Sequence, residues 1–256
     1  MASMNITVCE LNDDPKAFAE DWQALAAHVR AERSQLVLLP EMPFAPWFAL
    51  SPRYDAPTWQ AAVRAHEDWL SRLAELAPAT VIATRPVNSG GKRLNEGFVW
   101  DQAEGYRAAH HKYYLPDEEG FWEASWYDRG DGSFAPIECK GVKIGFLICT
   151  EQWFMERGRL YGNQGVHLLV SPRATGKPTV EKWLVGGRAE AVVSGAFSLS
   201  SNRFSRAVDL GGQGWVVGPD GQVLGVTSRA QPFLTVSIDL ADAERAKGTY
   251  PRYVLD

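Results

Sequence analysis

A cysteine near the middle of the chain stands where a reactive side chain is often placed. Residues 142–148 form a short apolar run rich in β-branched side chains, which predicts a buried strand that ends at Cys149. Open α/β sheets bind their ligands at the carboxyl ends of such strands. If Cys149 is a nucleophile, the chain must also supply a base and a group that stabilises an oxyanion.

Two charged residues also follow predicted strands. Glu41 comes after the apolar run 36–39 and Pro40, and Lys112 follows a predicted hairpin. A carboxylate within reach could take the proton of a thiol whose ordinary pKa is about 8.5. An ammonium group could stabilise both the thiolate and an oxyanion, and the backbone N–H of Thr150 is a candidate second donor. The product would be a thioester that water hydrolyses.

Each of these residues also has an ordinary structural interpretation. Glu41 could be an exposed loop carboxylate, Lys112 a solvated surface charge, and Cys149 a packing residue of the core. His110 and His111 are adjacent, so in a strand they point to opposite faces, which is poor geometry for a shared metal ion. The residue types and their spacing therefore leave the choice open. The proposed chemistry requires neither a metal nor an organic cofactor.

The elements that must position these residues alternate between strands and helices. A helix is predicted to start at Asp14 and Pro15, and others cover about residues 58–76 and 179–195. Residues 112–134 are predicted to be irregular, the strand at 166–170 to end at Ser171 and Pro172, and the chain after Ile238 to be a short tail. The alternation predicts an α/β fold in a single domain, residues 1–256.

Composition excludes several classes of protein. A net charge of -5 in 256 residues argues against nucleic acid as a main partner, because phosphate binding requires clustered Lys and Arg. No run reaches the roughly 18 apolar residues of a membrane span, so no membrane partner is expected. Three cysteines do not make a disulfide framework, and residues 1–14 lack the apolar core of a signal peptide. A cytoplasmic location is therefore expected.

Three ordered blocks of sequence resemble the nitrilase superfamily of carbon–nitrogen hydrolases. They are Leu-Leu-Pro-Glu ending at Glu41, His-His-Lys-Tyr-Tyr-Leu-Pro-Asp around Lys112, and Ile-Gly-Phe-Leu-Ile-Cys ending at Cys149. The stretches 112–131 and 149–156 are similar to those of the N-carbamoylputrescine amidase branch. Supporting blocks extend the resemblance over nearly the whole chain, from about residue 6 to 238.

The resemblance implies a fold, a site and an assembly. The implied fold is a four-layer α-β-β-α sandwich. Position by position, the resemblance implies Cys149 as nucleophile, Glu41 as general base and Lys112 as the cation that binds the oxyanion. Glu123 matches a second glutamate that helps to position the lysine and the attacking water. Members of the superfamily commonly form homodimers or larger homo-oligomers, which is the expectation here.

Departures from the family pattern concern the substrate. Met155 stands where a proline is usual, and Gly212-Gln213-Gly214 replaces a Gly-x-Ser block. Arg173, in Pro-Arg-Ala, replaces a threonine. It is predicted to face the pocket and bind an anionic or carbonyl group of the substrate. The alternative is a surface arginine paired with Glu151 or Glu156.

Glu151, Trp153, Trp47 and Phe48 are further candidates for the substrate pocket. Trp47 and Phe48 lie in a proline-rich loop and could equally be packing residues.

Three functions remain open at this point. The first is hydrolysis of a small amide or N-carbamoyl compound with release of ammonia, and the second is hydrolysis of a nitrile. The sequence Cys-Thr-Glu-Gln-Trp-Phe from Cys149 fits the amidases better than the Cys-Trp-Glu common in nitrilases. The third is a protein that kept the fold and only binds a ligand, which the presence of all four catalytic residue types disfavours.

Overall fold

The computed structural model describes residues 3–254, in which strands and helices alternate along the chain. The strands are β1 (Met4–Asn12), β2 (Leu36–Leu38), β3 (Thr80–Ser89), β4 (Lys92–Asp101), β5 (Gly105–His111), β6 (Ile137–Cys139), β7 (Val142–Phe146), β8 (Leu168–Arg173), β9 (Phe197–Ser205), β10 (Leu210–Gly211), β11 (Trp215–Val217), β12 (Val223–Val226) and β13 (Phe233–Ile238). The α-helices are α1 (Pro15–Ala31), α2 (Ala56–Leu70), α3 (Glu123–Trp126), α4 (Met155–Asn163), α5 (Val180–Ser194) and α6 (Leu240–Lys247). Short 3₁₀ helices cover Ser71–Leu76, Cys149–Trp153 and Lys177–Thr179.

Strand β1 belongs to two sheets. Its first part pairs in parallel with β2 and antiparallel with β13, and its last three residues, from Glu10 to Asn12, pair in parallel with β9. The first sheet continues from β2 through β3 and β4 to β5, and the second from β9 through β8 and β7 to β6. Because one strand crosses between the sheets, the carboxyl ends of β2 and β8 come close together. The backbone N–H of Glu41 donates to the carbonyl of Arg173 at 3.3 Å.

The two sheets pack face to face, with helices on both outer faces. Alternate residues of β1 point in opposite directions: Ile6 and Val8 enter a core that also holds Val170 of β8. Cys9 faces the other way and packs in a second core with Trp22 of α1. On the far side, helices α4 and α5 cover the second sheet. These layers confirm the predicted α-β-β-α sandwich.

The structure differs from the sequence-based prediction in three elements. Strand β8 continues through Pro172 to Arg173 instead of ending at the proline. The pairing of β8 with β7 stops at Val170. Pro172 has no N–H to donate, but because β7 no longer pairs with β8 at this point, no hydrogen bond to β7 is lost. The tail after Ile238 forms helix α6, and the irregular segment contains the short helix α3. Among the described residues, no helix is long and apolar enough to cross a membrane.

Candidate active site

Cys149 lies at a sharp turn just beyond β7. Its φ angle is 49°, in the left-handed region that non-glycine residues rarely adopt, and it begins the 3₁₀ helix Cys149–Trp153. The side chain is buried, and its Sγ is 3.9 Å from the carbonyl oxygen of Ala174, which follows β8. The turn therefore holds the thiol at the carboxyl ends of two neighbouring parallel strands.

Lys112 lies between two carboxylates. Its Nζ donates to Oε1 of Glu41 at 2.8 Å and to Oε2 of Glu123 at 2.6 Å, and all three side chains are fully buried. Lys112 directly follows β5, where its backbone N–H donates to the carbonyl of Asn95 in β4 at 2.9 Å. Glu123 begins helix α3 in the otherwise irregular segment.

The four predicted catalytic residues converge in one place. A carboxylate oxygen of Glu41, one of Glu123 and the Sγ of Cys149 all lie within 4.8 Å of one another. Such a donor set can in principle hold a metal ion. Here the ammonium group of Lys112 already bridges the two carboxylates, and it supplies the positive charge that they need.

Burial shapes the protonation of this cluster. Burial, together with the charge of Glu41, raises the pKa of the Cys149 thiol well above its ordinary value. Burial alone would lower the pKa of Lys112, but the charges of Glu123 and Glu41 outweigh it and raise that pKa. Burial raises the pKa of Glu123 to about 7, against the opposing charge of Lys112. Burial therefore favours the neutral, protonated form of the thiol.

One side-chain oxygen of Glu41 is left without a hydrogen bond. Its Oε1 accepts hydrogen bonds from Lys112 and from Nδ2 of Asn95, the latter at 2.8 Å. Its Oε2 is buried and has no hydrogen-bond partner among the described residues. A buried carboxylate oxygen without a hydrogen-bond donor costs folding free energy. We therefore expect this oxygen to receive a proton in some state of the protein.

A cavity of about 950 Å³ opens onto the cluster. Cys149, Glu123 and the predicted oxyanion donor Thr150 line it. Its walls also contain aromatic side chains, among them Trp153 and Trp183. The volume is ample for a small organic molecule.

Four of the five predicted substrate-binding residues do not line this cavity: Trp47, Phe48, Glu151 and Arg173. Trp47 packs in a third hydrophobic core, and its Nε1 donates to the carbonyl of Gly120 at 2.9 Å. Glu151 is buried behind Cys149, where its carboxylate accepts from the backbone N–H of Ile148 at 2.9 Å. Of the five candidates, only Trp153 stands on the cavity wall.

Arg173 occupies a position that neither sequence interpretation anticipated. It is fully buried, so it is not a surface arginine, and it lies on the outer face of β8. Its guanidinium donates to Oγ of Ser200 at 2.7 Å and Oγ1 of Thr175 at 2.9 Å, and it lies 4.0 Å from the ring centroid of Trp215. The register of β8 thus directs it beneath the cavity wall rather than into the cavity.

Three residues that support the cluster were not singled out from the sequence. Asn95 holds Glu41, the hydroxyl of Tyr127 donates to Glu123, and Arg203 donates to the Glu41 carbonyl at 3.3 Å. Arg203 lies in a block that carries the family resemblance. Nothing in the local sequence around Asn95 or Tyr127 indicates their partners, which are brought near by the fold.

Comparison with known proteins gives one family. The family model described as carbon–nitrogen hydrolase matches residues 2–248. An N-carbamoylputrescine amidase from Arabidopsis thaliana is 27% identical over 155 residues, covering 53% of this chain and 50% of that protein. An omega-amidase from Mus musculus is 29% identical over 182 residues, covering 66% of each chain. The match to the Arabidopsis protein therefore spans only about half of that relative's length.

Solved structures give the same architecture. A carbon–nitrogen hydrolase from Helicobacter pylori G27 superposes with a TM-score of 0.84 at 23% identity, covering 98% of this chain and 94% of that one. An amidase from a Nesterenkonia species superposes with a TM-score of 0.75 at 21% identity, covering 94% and 92%. At these identities the similarity establishes the fold.

Proposed function

The chain belongs to the carbon–nitrogen hydrolase family, and we propose that it hydrolyses the C–N bond of a small amide or N-carbamoyl compound. The observation that carries this proposal is the buried cluster at the base of the cavity. A thiol, two carboxylates and an ammonium group lie together where a small molecule can enter. The relatives named as amidases support the same class of substrate.

In the proposed first step, Glu41 takes the proton of the Cys149 thiol as the sulfur attacks the carbonyl carbon. Lys112 and the backbone N–H of Thr150 stabilise the negative charge that develops on the carbonyl oxygen. Glu41 then gives the proton to the departing nitrogen, the C–N bond breaks, and a thioester remains on Cys149.

In the second step, water replaces the leaving group. Glu41 takes a proton from the water, which attacks the thioester, while Glu123 keeps Lys112 in place and orients the water. Collapse of this intermediate breaks the C–S bond, and the thiolate recovers its proton. Ammonia is released from a primary amide, and carbon dioxide also forms when the acyl group is a carbamoyl.

Ammonia release over a panel of amides, ureido acids, carbamoyl amines and nitriles tests this proposal. We expect turnover of at least one amide or carbamoyl compound, and loss of nearly all activity in Cys149→Ala. Selective turnover of nitriles would favour the nitrilase alternative. An absence of turnover on the whole panel, with ligand binding retained, would favour a binding protein.

We also propose that the chain assembles as a homodimer or a larger homo-oligomer. The expectation rests on the family, so light scattering of the purified protein at several concentrations is the appropriate measurement. A monomer at all concentrations would contradict it.

A further inference from the structure

His110 has both ring nitrogens directed at hydrogen-bond acceptors. Its Nδ1 is 3.1 Å from the carbonyl oxygen of Ser133, and its Nε2 is 2.8 Å and 3.1 Å from the two carboxylate oxygens of Glu151. A carbonyl oxygen cannot donate, so Nδ1 must carry a hydrogen. The side chains of His110 and Glu151 are both almost completely buried.

Both side-chain oxygens of Glu151 also accept hydrogen bonds from the backbone. Oε1 accepts from the backbone N–H of Tyr113 at 2.7 Å, and Oε2 accepts from the backbone N–H of Ile148 at 2.9 Å. Nε2 of His110 lies within hydrogen-bond distance of both of these acceptor oxygens, so it is also placed as a donor. The contacts therefore describe an imidazolium paired with a carboxylate.

This pair connects the two segments that carry the reacting groups. Tyr113 directly follows Lys112, and Ile148 directly precedes Cys149. Glu151 binds the backbone of both residues, and His110, two residues before Lys112, completes the link from β5. A shift of either segment would break at least one of these bonds, so the pair fixes the distance between the ammonium and the thiol.

Stability alone does not explain a buried ion pair here. Removing two charges from water costs free energy that their attraction often fails to offset, and apolar residues can fill the same volume without that cost. Removing one partner, in contrast, leaves a buried charge uncompensated. A pair placed between two catalytic segments is better explained by the geometry that it enforces.

We propose that His110 and Glu151 form a charged brace that positions Lys112 against Cys149, and that turnover requires the proton on His110. The proposal rests on the proposed hydrolase function for its kinetic test only. His110 is a positioning residue, since it acts through Glu151 and does not line the cavity.

The surroundings of His110 favour its charged form. Burial lowers its pKa, but the charges of Glu151 and, more weakly, Asp131 outweigh burial and raise it above the ordinary value. Further titratable groups pack around Phe134, whose ring contacts His110: they are Tyr113, Tyr114, Tyr161 and Arg157. Burial and the charge of Glu151 raise the pKa of Tyr161. The brace is intact below the ordinary histidine pKa and is lost as pH rises through the raised one.

His110→Gln tests the charge, because glutamine keeps a neutral donor for Glu151. We expect kcat to fall about 10- to 100-fold with little change in KM, as for a small misplacement of catalytic groups. In the wild-type enzyme, kcat should fall at alkaline pH as His110 loses its proton. This fall should be absent from the variant. The matched control is His111→Gln, since His111 is adjacent but partly exposed and pairs with Glu96 at 3.1 Å. It should keep the wild-type profile.

Two measurements need no substrate and no turnover. Nitrogen NMR of histidine-labelled wild-type protein should show both His110 ring nitrogens protonated at pH 7, assigned by loss of the signals in His110→Gln. Alkylation of Cys149 by iodoacetamide should be slower in His110→Gln than in His111→Gln. If no compound is turned over, the proposed function fails. The NMR and alkylation results would still show whether His110 is charged and positions Cys149. A neutral His110 at pH 7, or wild-type alkylation of Cys149 in folded His110→Gln, would overturn the proposed brace.

Discussion

At the scale of single residues, the backbone is strained at the proposed nucleophile and next to the proposed base. Cys149 has a φ of 49°, and Met42, which follows Glu41, has a φ of 43°. Each such conformation costs roughly 1–3 kcal/mol and persists only where neighbouring contacts fix it. The N–H of Met42 is held by Oγ1 of Thr84 at 2.7 Å. The proposed base and nucleophile thus stand on backbone that the surrounding structure constrains tightly.

Asn95 gives the first prediction at this scale. Asn95→Ala removes the 2.8 Å hydrogen bond to Oε1 of Glu41 and leaves Lys112 as the remaining donor to that oxygen. A hydrogen bond to a charged group contributes about 1.5–3 kcal/mol, so we expect kcat/KM to fall roughly 10- to 100-fold. Steady-state ammonia release measures this. Asn88→Ala, at an exposed position of β3, is the control, and an equal loss in both variants would contradict the assigned role.

The sequence singled out the residues that we propose as catalytic and was silent about the residues that hold them. Glu41, Lys112 and Cys149 each follow a strand and lie in the blocks that carry the family resemblance, which is why they were predicted. Asn95 lies 54 positions from its partner Glu41, and only the pairing of distant strands brings the two together. The burial of Arg173 depended on β8 continuing past Pro172, which local sequence preferences did not predict.

At the scale of elements, helix α5 forms part of the cavity wall and packs very closely on the second sheet. Trp183 of α5 lines the cavity, and a Cβ atom added at Gly187 would lie 2.7 Å from the indole of Trp215. That indole is fully buried and stacks on Arg173. The glycine is therefore required by the close approach of the helix to the sheet.

Gly187→Ala tests this packing. Alanine favours a helix by up to about 1 kcal/mol, whereas overpacking of a core costs about 1–3 kcal/mol. Because the tryptophan has no room to move, we expect a net loss of stability in urea unfolding. Val185→Ala, on the exposed face of the same helix, should change stability by less than about 0.5 kcal/mol. A Gly187→Ala protein more stable than the wild type would refute the packing argument.

At the scale of the whole molecule, the shared strand β1 joins the two sheets, while α4 and α5 cover the outer face of the second one. Between these helices lies Glu190, buried against Gly158, with neither carboxylate oxygen bonded to any described residue. Burial, together with the charge of Glu156, raises the pKa of Glu190 to about 9. The fold therefore carries a protonated carboxyl group at neutral pH.

The raised pKa of Glu190 should make the folded protein less stable as pH rises. Between its ordinary pKa and about 9, the folded protein holds a proton that the unfolded chain releases, so Glu190 lowers stability as pH rises through that range. The free energy of unfolding should therefore fall between pH 6 and 9, and Glu190→Gln should reduce that fall by more than about 1 kcal/mol in urea unfolding. Glu181→Gln, exposed on α5, should not alter the slope. If the free energy of unfolding of Glu190→Gln depends on pH as steeply as that of the wild type, this carboxyl group does not cause the loss of stability.

In the proposed mechanism, Cys149 carries the acyl group between the two chemical steps. Intact-protein mass spectrometry after rapid acid quenching, during turnover of the best compound from the panel, tests it most directly. We expect an added mass equal to the acyl or carbamoyl group, located on the peptide that contains Cys149 and absent from Cys149→Ala. Ammonia release at the wild-type rate by Cys149→Ala would contradict it.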